Sequence, residues 1–317
     1  MSVNVLEILS AIEKEGNFRK AAAALGVTQP YLSQVVQRLE KECRGLIVDR
    51  HHKPFKLTEL GQYYLDTRRR IQNIEEETEQ FCSDHANLRT GKLRIASNGE
   101  RTNAILIPGV SAFAKQYPGI YIELTLEHHL EEISNLLLSG MAEVGVLFQY
   151  LLKKGLNAYP LFKERYLFAV PDTQYFADVG ERYNSEECYP RFQDANFDKL
   201  SKLPLLQTVL HHERTALLSK VVGRNFRELN MDVRQLGTRL EFVASGICTA
   251  VCQETLVGPY EARNRCRFLS MEGVLPIQTV VIAWNDHVYQ SHASKIFCNM
   301  VRDSLKNQKG CGLGSFA

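Results

Sequence analysis

The sequence predicts an all-α head, one long linker helix and a C-terminal α/β body of two lobes. Three observations predict this. Apolar residues recur at helical spacing, with stop and start signals between them, as far as Glu42. An apolar heptad pattern runs from Leu57 to Leu88. From Gly91 onward, short strand-like runs alternate with helical stretches. The length of 317 residues fits two or three domains.

In the head, Val5, Leu6, Leu9 and Ile12 mark a first helix that Gly16-Asn17 stops. An Ala-rich second helix spans about Phe18–Leu25, and Gly26 supplies a turn with positive φ. Thr28 is placed to cap a third helix, about Gln29–Glu42, with Pro30 in its first turn, where a missing N–H is harmless. Leu32, Val35, Val36 and Leu39 face inward, and Ala22 is small where two helices cross. This is the grammar of a helix-turn-helix. Gly45–Arg50 and Phe55–Thr58 are strand-like and flank the turn His51-His52-Lys53-Pro54. They make a wing, with Arg50, Lys53 and Lys56 at or near its tip.

Charge follows the same division. The whole chain carries a formal +2, with 38 Lys and Arg against 36 Asp and Glu. Residues 17–70 nonetheless hold eleven basic against five acidic side chains, and residues 71–90 hold five acidic against one basic. A basic head before an acidic stretch fits a small nucleic-acid-binding module. On the third helix, Gln29, Tyr31, Ser33, Gln34 and Arg38 are expected on or near the exposed face. Gln and Arg suit the edges of adenine and guanine; Ser and Tyr more often hold phosphates.

Thr58 is placed to cap the linker helix to about Leu88. Its two apolar registers read Leu57, Tyr64, Ile71, Thr78, His85 and Leu60, Thr67, Ile74, Phe81, Leu88. A seam at this period is best buried by a second copy, so a homodimer or homotetramer is expected.

In the body, strands are expected at Leu93–Ala96, Tyr121–Leu126, Val144–Phe148, Tyr166–Val170, Leu205–Thr208, Arg239–Ala244 and Val280–Trp284, with a further element at Ile247–Gln253. Helices are expected at about 102–117, 130–139, 213–229 and from His292 to Lys306. The pattern implies a mostly parallel sheet in each lobe, with the last strand–helix pair returning to the first lobe. The Gly- and Lys-containing tail, Asn307–Ala317, is expected to be disordered.

The runs AAAALGVTQPYLSQVVQRLEKE and GLIVDRHHKPFKLTELG closely resemble the N-terminal domain of LysR-type transcriptional regulators. GKLRIAS, YPGIYIELTLEHH, LLLSGMAEVGVLF, RYLFAVP and EFVASGICTAV resemble that family's effector-binding domain more weakly. There are departures. Glu42-Cys43 stands where the family has Leu-Gly, Ile47-Val48 where it has Leu-Phe, and one extra residue precedes Pro108. The resemblance implies a DNA-binding regulator on double-stranded DNA, with a linker helix that dimerises. It also implies an effector-binding domain like the periplasmic binding proteins, with a small molecule in the cleft between two lobes. On this reading residues 1–59 are the winged helix-turn-helix, residues 60–90 the linker and residues 91–306 the effector domain. Lobe I is 91–165 with 271–306, and lobe II is 166–270.

DNA contacts are then expected from Thr28, Gln29, Pro30, Tyr31, Ser33, Gln34, Arg38, Arg50, Lys53 and Lys56. Effector contacts are expected from Ser97, Asn98 and Thr102, facing Thr208 and the Ser245-Gly246-Ile247 turn, which is expected to open a helix. Two helix N-termini aimed into one cleft favour a small anion. Neither a cofactor nor a metal is expected. The pairs His51-His52, His128-His129 and His211-His212 have no companions at zinc spacing. Phosphate-binding Gly loop, nucleophile elbow and paired-carboxylate signatures are absent from the sequence, so an enzymatic α/β protein is the weaker alternative. A thiol sensor through Cys188 or the Cys248/Cys252 pair, which would share one face if helical, is another. Without an apolar span of membrane length or a basic–apolar leader, a cytoplasmic location with reduced cysteines is expected.

Overall fold

The computed structural model describes residues 4–85, 91–127, 129–183, 189–192, 195, 197–206, 227, 229, 231, 233 and 235–307. It divides into two compact units, Met1–Glu79 and Gln80–Ala317.

The first unit opens with α1 (Val5–Glu15), α2 (Phe18–Ala24) and α3 (Gln29–Glu42). Asn4 and Glu7 form a reciprocal cap at the start of α1. Asn17 caps α2 by accepting from the Arg19 and Lys20 N–H groups. The Thr28 hydroxyl accepts from the Tyr31 N–H at 3.4 Å, and Gly26 takes φ +65°. Ile8, Leu9, Ile12, Ala22, Leu32, Val36 and Leu39 are buried together, as the helical spacing requires.

The wing is shorter than its sequence suggests. Strands β1 (Val48–Asp49) and β2 (Lys56–Leu57) have two residues each and pair antiparallel. Thr58 closes the wing, its hydroxyl donating to the Leu46 carbonyl at 2.6 Å and accepting from the Gly61 N–H at 3.0 Å. This caps α4 (Glu59–His85). Gly61 lies so close to the wing that a Cβ there would meet the Ile47 carbonyl oxygen at 2.1 Å. On α4, Ile71, Ile74 and Phe81 are exposed. Tyr64, expected in the seam, instead packs on the core of its own unit beside fully buried Leu65, because the first turns of α4 help to close that core. Leu88 lies outside the described residues.

The second unit holds two five-stranded sheets. In lobe I the order is β4 (Ile120–Leu126), β3 (Gly91–Ser97), β5 (Val144–Phe148), β12 (Gln278–Asn285), β6 (Leu156–Glu164). The β3–β4 pair is parallel, in register from Gly91 opposite Ile120 to Ser97 opposite Leu126. Behind β3 come α5 (Gly99–Arg101), a π turn over Thr102–Leu106 and α6 (Ile107–Gln116). A π turn accommodates one additional residue in a helix, and it falls where the family resemblance led to the expectation of one extra residue before Pro108. The remaining lobe I helices are α7 (Leu130–Leu138) and the C-terminal helix His292–Asn307, which closes on α6 through Phe113 and Phe297. Asn307, expected in the tail, is therefore helical, and 308–317 lie outside the described residues.

In lobe II the order is β8 (Glu181–Arg182), β11 (Cys266–Ser270), β7 (Tyr166–Pro171), β10 (Thr249–Gln253), β9 (Leu205–Leu206). Four-residue α8 (Phe197–Leu200) precedes β9.

Neither sheet is mostly parallel, contrary to the sequence expectation. The chain crosses between lobes at Arg165 and again between Ser270 and Gln278. β7 leaves the crossing, whereas β10 and β11 run back towards it, with Gln253 opposite Tyr166 and Ser270 opposite Leu167. Both therefore pair antiparallel to β7. β12 likewise enters lobe I from the other lobe and opposes β5 and β6.

A second correction concerns residues 236–253. Arg239–Ala244, expected as a strand, belongs to helix α9 (Leu236–Ala244), which buries Leu236, Leu240 and Val243 at helical spacing. The Ser245-Gly246 turn ends that helix, Gly246 taking φ +82°, and leads into strand β10 instead of opening a helix. Cys248 and Cys252 are thus not on a helix. After β10 comes the short helix α10 (Glu254–Val257). The strand expected at Leu205–Thr208 is described only at Leu205–Leu206, and almost all of the helix expected at 213–229 lies outside the described residues.

Candidate functional site

On α3, Tyr31, Gln34, Gln37, Arg38 and Lys41 are exposed and fall along one side of the helix, opposite Leu32, Val35, Val36 and Leu39. Gln29 and Pro30 are exposed at its first turn, and Ser33 is half-buried at the edge. Gln37 and Lys41 join this face although motif matching did not single them out; the 3.6-residue period would have found them. Among the described residues, Arg38 and Lys41 have no ion-pair partner. Lys53 and Lys56 on the wing are likewise exposed.

Arg50 is different. It follows β1 on the turn side of the wing, but its side chain folds back, the guanidinium 2.9 Å from the Glu40 carboxylate and 5.3 Å from the Phe18 ring centroid. The other Glu40 oxygen accepts from the Ile47 and Val48 N–H groups at 3.1 and 3.4 Å. Glu40 therefore fastens the wing to α3, and Arg50, near the tip as expected, completes that fastening through its ion pair. At the tip the Phe55 N–H donates to the Gly16 carbonyl at 2.8 Å. His52 lies 2.7 Å from Asp49. The His51 backbone N–H first, and His52 next, hold the Asp49 carboxyl below its ordinary range.

In the second unit, the turn after β3 is where the lobes meet. Ser97 is fully buried at the strand end, its hydroxyl 3.4 Å from the Asn98 carbonyl. Asn98 accepts from the Arg101 N–H at 2.8 Å, and the buried Thr102 hydroxyl donates to the Asn98 carbonyl at 2.9 Å. The next two side chains reach across. The Glu100 carboxylate accepts the Leu236 N–H, at the start of α9 in lobe II. Arg101, 1% exposed, pairs at 3.0 Å with Glu164, 0% exposed, and lies 4.2 Å from the Phe148 ring centroid. Glu164 also accepts from the Thr255 hydroxyl and N–H on α10. Beside it Arg165 pairs with buried Glu254 at 2.7 Å.

Ser97, Asn98 and Thr102 are thus brought together, but Ser245, Gly246 and Ile247 are not placed as expected. They lie at the C-terminal end of α9, about 13 Å along the helix from the end that Glu100 meets. The Ser245 N–H and hydroxyl both bond back to the helix carbonyls. That end offers a negative dipole and no free helical N–H, so the expected second anion-favouring terminus is at Leu236. Thr208, His128, His211, His212 and Cys188 lie outside the described residues.

The remaining thiols follow burial. Cys248, Cys252, Cys266 and Cys298 are buried. Burial pushes Cys248 up to about 11, Cys266 and Cys298 to about 12, and Cys252 also strongly upward. These four are neutral at physiological pH and poor nucleophiles. Among the described residues no group of three His, Cys, Asp or Glu side chains is arranged to hold a metal ion, and no helix is long and apolar enough to cross a membrane.

Comparison with known proteins places both units. Residues 3–62 match the family described as bacterial regulatory helix-turn-helix protein, lysR family, and residues 86–306 match the LysR substrate binding domain. Proteins named probable RuBisCO transcriptional regulator are similar along nearly the whole chain. That of Cyanidioschyzon merolae is 26% identical over 95% of this chain and 97% of its own length. That of Guillardia theta is 27% identical over 93% and 94%. Among solved structures, CbnR, a LysR family transcriptional regulator, has TM-score 0.65 at 19% identity, over 95% of this chain and 98% of its own. CbnR complexed with its target DNA matches equally, at TM-score 0.65 and 20% identity, over 94% and 98%.

Removing one partner of a buried ion pair leaves the other charge uncompensated. Glu164→Ala is therefore expected to lower stability by about 3–5 kcal/mol, read from urea unfolding of the second unit. A loss below about 1 kcal/mol would show that Arg101 finds another partner.

Proposed function

The chain belongs to the LysR family of transcriptional regulators, and from that premise we propose that it binds double-stranded DNA sequence-specifically as a homodimer or homotetramer, under control of a small effector in the cleft of its second unit. The observation that carries the reading is the polar face of α3, Tyr31, Gln34, Gln37, Arg38 and Lys41, beside a wing that presents Lys53 and Lys56. α3 enters the major groove, where Gln34 and Arg38 meet base edges, while Lys53 and Lys56 hold phosphates. Gln29, Tyr31 and Ser33 contact the backbone from the first turn, Pro30 shapes that turn, and Thr28 acts as the helix cap. The activity is binding and not catalysis. The burial of Cys248 and Cys252 weighs against thiol control through that pair.

The effector site is the cleft edge at Ser97, Asn98 and Thr102, opposite the start of α9. This turn suits the task because its neighbours touch both lobes, so a ligand seated there changes how the lobes are held. The relatives' named regulatory role fits a protein of this kind, and the exposed Ile71, Ile74 and Phe81 of α4 supply the seam between two copies.

Three measurements test these assignments. In a gel shift on the DNA upstream of its gene, Arg38→Ala is expected to weaken binding while leaving the unfolding midpoint of the head unchanged. A phosphate contact lowers the salt slope by about one unit, and a base contact relaxes specificity at one position. Arg50→Ala is expected to lower that midpoint, because Arg50 fastens the wing; the reverse pattern exchanges the two roles. In analytical ultracentrifugation Ile71→Asp is expected to dissociate the dimer, since a buried Ile contributes about 1.5–3 kcal/mol; an undiminished dimer excludes the seam. For the cleft, a thermal-shift screen of amino acids and aromatic acids reads a ligand at 100 times its dissociation constant as about 2.7 kcal/mol of added stability. The same ligand should lose that effect in Ser97→Ala if the cleft assignment is right.

A further inference from the structure

The link between Glu100 and α9 goes beyond a local cap. Glu100 follows the first strand of lobe I, whereas Leu236 begins a helix packed wholly within lobe II. The Glu100 carboxylate accepts the Leu236 N–H, one of the four donors that α9 leaves without a partner inside the helix. Gln235, the residue before it, makes no side-chain cap. The carboxylate from the other lobe therefore occupies the place that an N-cap side chain or a bound anion would take, where the helix dipole favours negative charge.

The first turn of α9 is held from its other side as well. A Cβ at Gly237 would meet the Tyr260 ring at 2.5 Å, so ring and backbone are in direct contact. Burial first, and the Glu100 charge second, raise the Tyr260 hydroxyl above its ordinary range.

The adjacent residue, Arg101, ties the same turn to the crossing point through Glu164 and Thr255. The turn therefore has two attachments of unlike kind. The Arg101–Glu164 pair is buried and stands at the crossing itself, where the lobes pivot. The Glu100 contact is half-buried and stands away from it, on the body of lobe II. A rotation of one lobe against the other preserves the first and breaks the second.

We propose that Glu100 is an interlobe latch: its carboxylate on the start of α9 holds the lobes in the arrangement described here, and its release lets them part. This deepens the effector reading, and rests on it for one consequence only. A ligand seated at Asn98–Thr102 acts by displacing Glu100, and an anionic ligand takes over the same N–H group.

The latch is tested without any effector. Spin labels are placed on the full-length chain at Glu131→Cys in lobe I and Glu261→Cys in lobe II, both exposed, with Cys43, Cys82, Cys188 and Cys311 replaced by Ser. Labelled chain is diluted with unlabelled chain, so that pulsed electron–electron resonance reads distances within one copy. Relative to Glu100 itself, Glu100→Ala is expected to shift the interlobe distribution to longer distances. Glu100→Asp keeps the charge but is one methylene shorter and should shift it in the same direction. Glu100→Gln retains an oxygen that accepts the bond and should keep the main population. Amide exchange at Leu236 should rise about tenfold or more in Glu100→Ala, with the lobe sheets still protected as proof of folding. If Ala and Asp both superimpose on the parent distribution, the latch is wrong. That result leaves the effector site untouched, and a failed ligand screen leaves the latch untouched.

Discussion

A buried charge that lacks its counter-charge is among the most costly features a fold can contain, and the Arg101–Glu164 pair sets that constraint at the junction of the two lobes. Neither side chain has appreciable access to water. The fold can keep the pair only by holding the turn after the first strand and the end of β6 in one fixed relation. The Phe148 ring against the guanidinium and the Thr255 donors on Glu164 add geometry that a pair of bare charges lacks. A pair of this kind gains little net stability over apolar residues of the same volume. What it gives is one position for the turn. Asn98, which accepts from the Arg101 N–H and from the Thr102 hydroxyl, is positioned by it, and Glu100 is thereby aimed at α9.

The head uses the same device at smaller cost. Glu40 is partly buried on α3, and four groups converge on it: two wing N–H groups, the Arg50 guanidinium and, through Arg50, the Phe18 ring. A wing with two residues per strand has too few ladder bonds to hold its own position. Glu40 supplies the missing bonds, and Thr58 supplies those at the other end. α3 and the wing then move as one piece, which is what the proposed contact of both with one duplex requires.

Much of the head was legible in the sequence because local signals there agree: caps at Asn17 and Thr28, a positive-φ Gly26, and one apolar stripe per helix. The body was less so. Arg239–Ala244 reads as a strand because Arg239 and Glu241 alternate with apolar neighbours, yet the buried set Leu236, Leu240 and Val243 has the helical period. Starting the window three residues earlier separates the two. Strand direction was not legible, since it depends on where the chain crosses between lobes, and the crossing at Arg165 carries no turn signal. The turn residues Ser97, Asn98 and Thr102 were found, but not what they do, because Glu100 and Arg101 make contacts 136 and 63 residues away in sequence.

These contacts also change what the basic charge of the head means. Counted along the chain, residues 17–70 form a strong cationic block. In the fold, two of the eleven basic side chains are paired. Arg50 is spent on Glu40, and Arg69 lies 2.8 Å from Glu13 and 3.3 Å from Asp66. A cation neutralised within the protein has little attraction left for phosphate, and it releases no counterion on binding. Arg38 and Lys41 on α3 and Lys53 and Lys56 on the wing have no ion-pair partner among the described residues, and neither have Arg19, Lys20, Arg44, Arg68 and Arg70. Arg38 and Lys41 lie on the face that carries Gln34 and Gln37. On the proposed reading, phosphate attraction by Arg38 and Lys41 and base contact by Gln34 share that face, so diffusional encounter favours its presentation to the duplex.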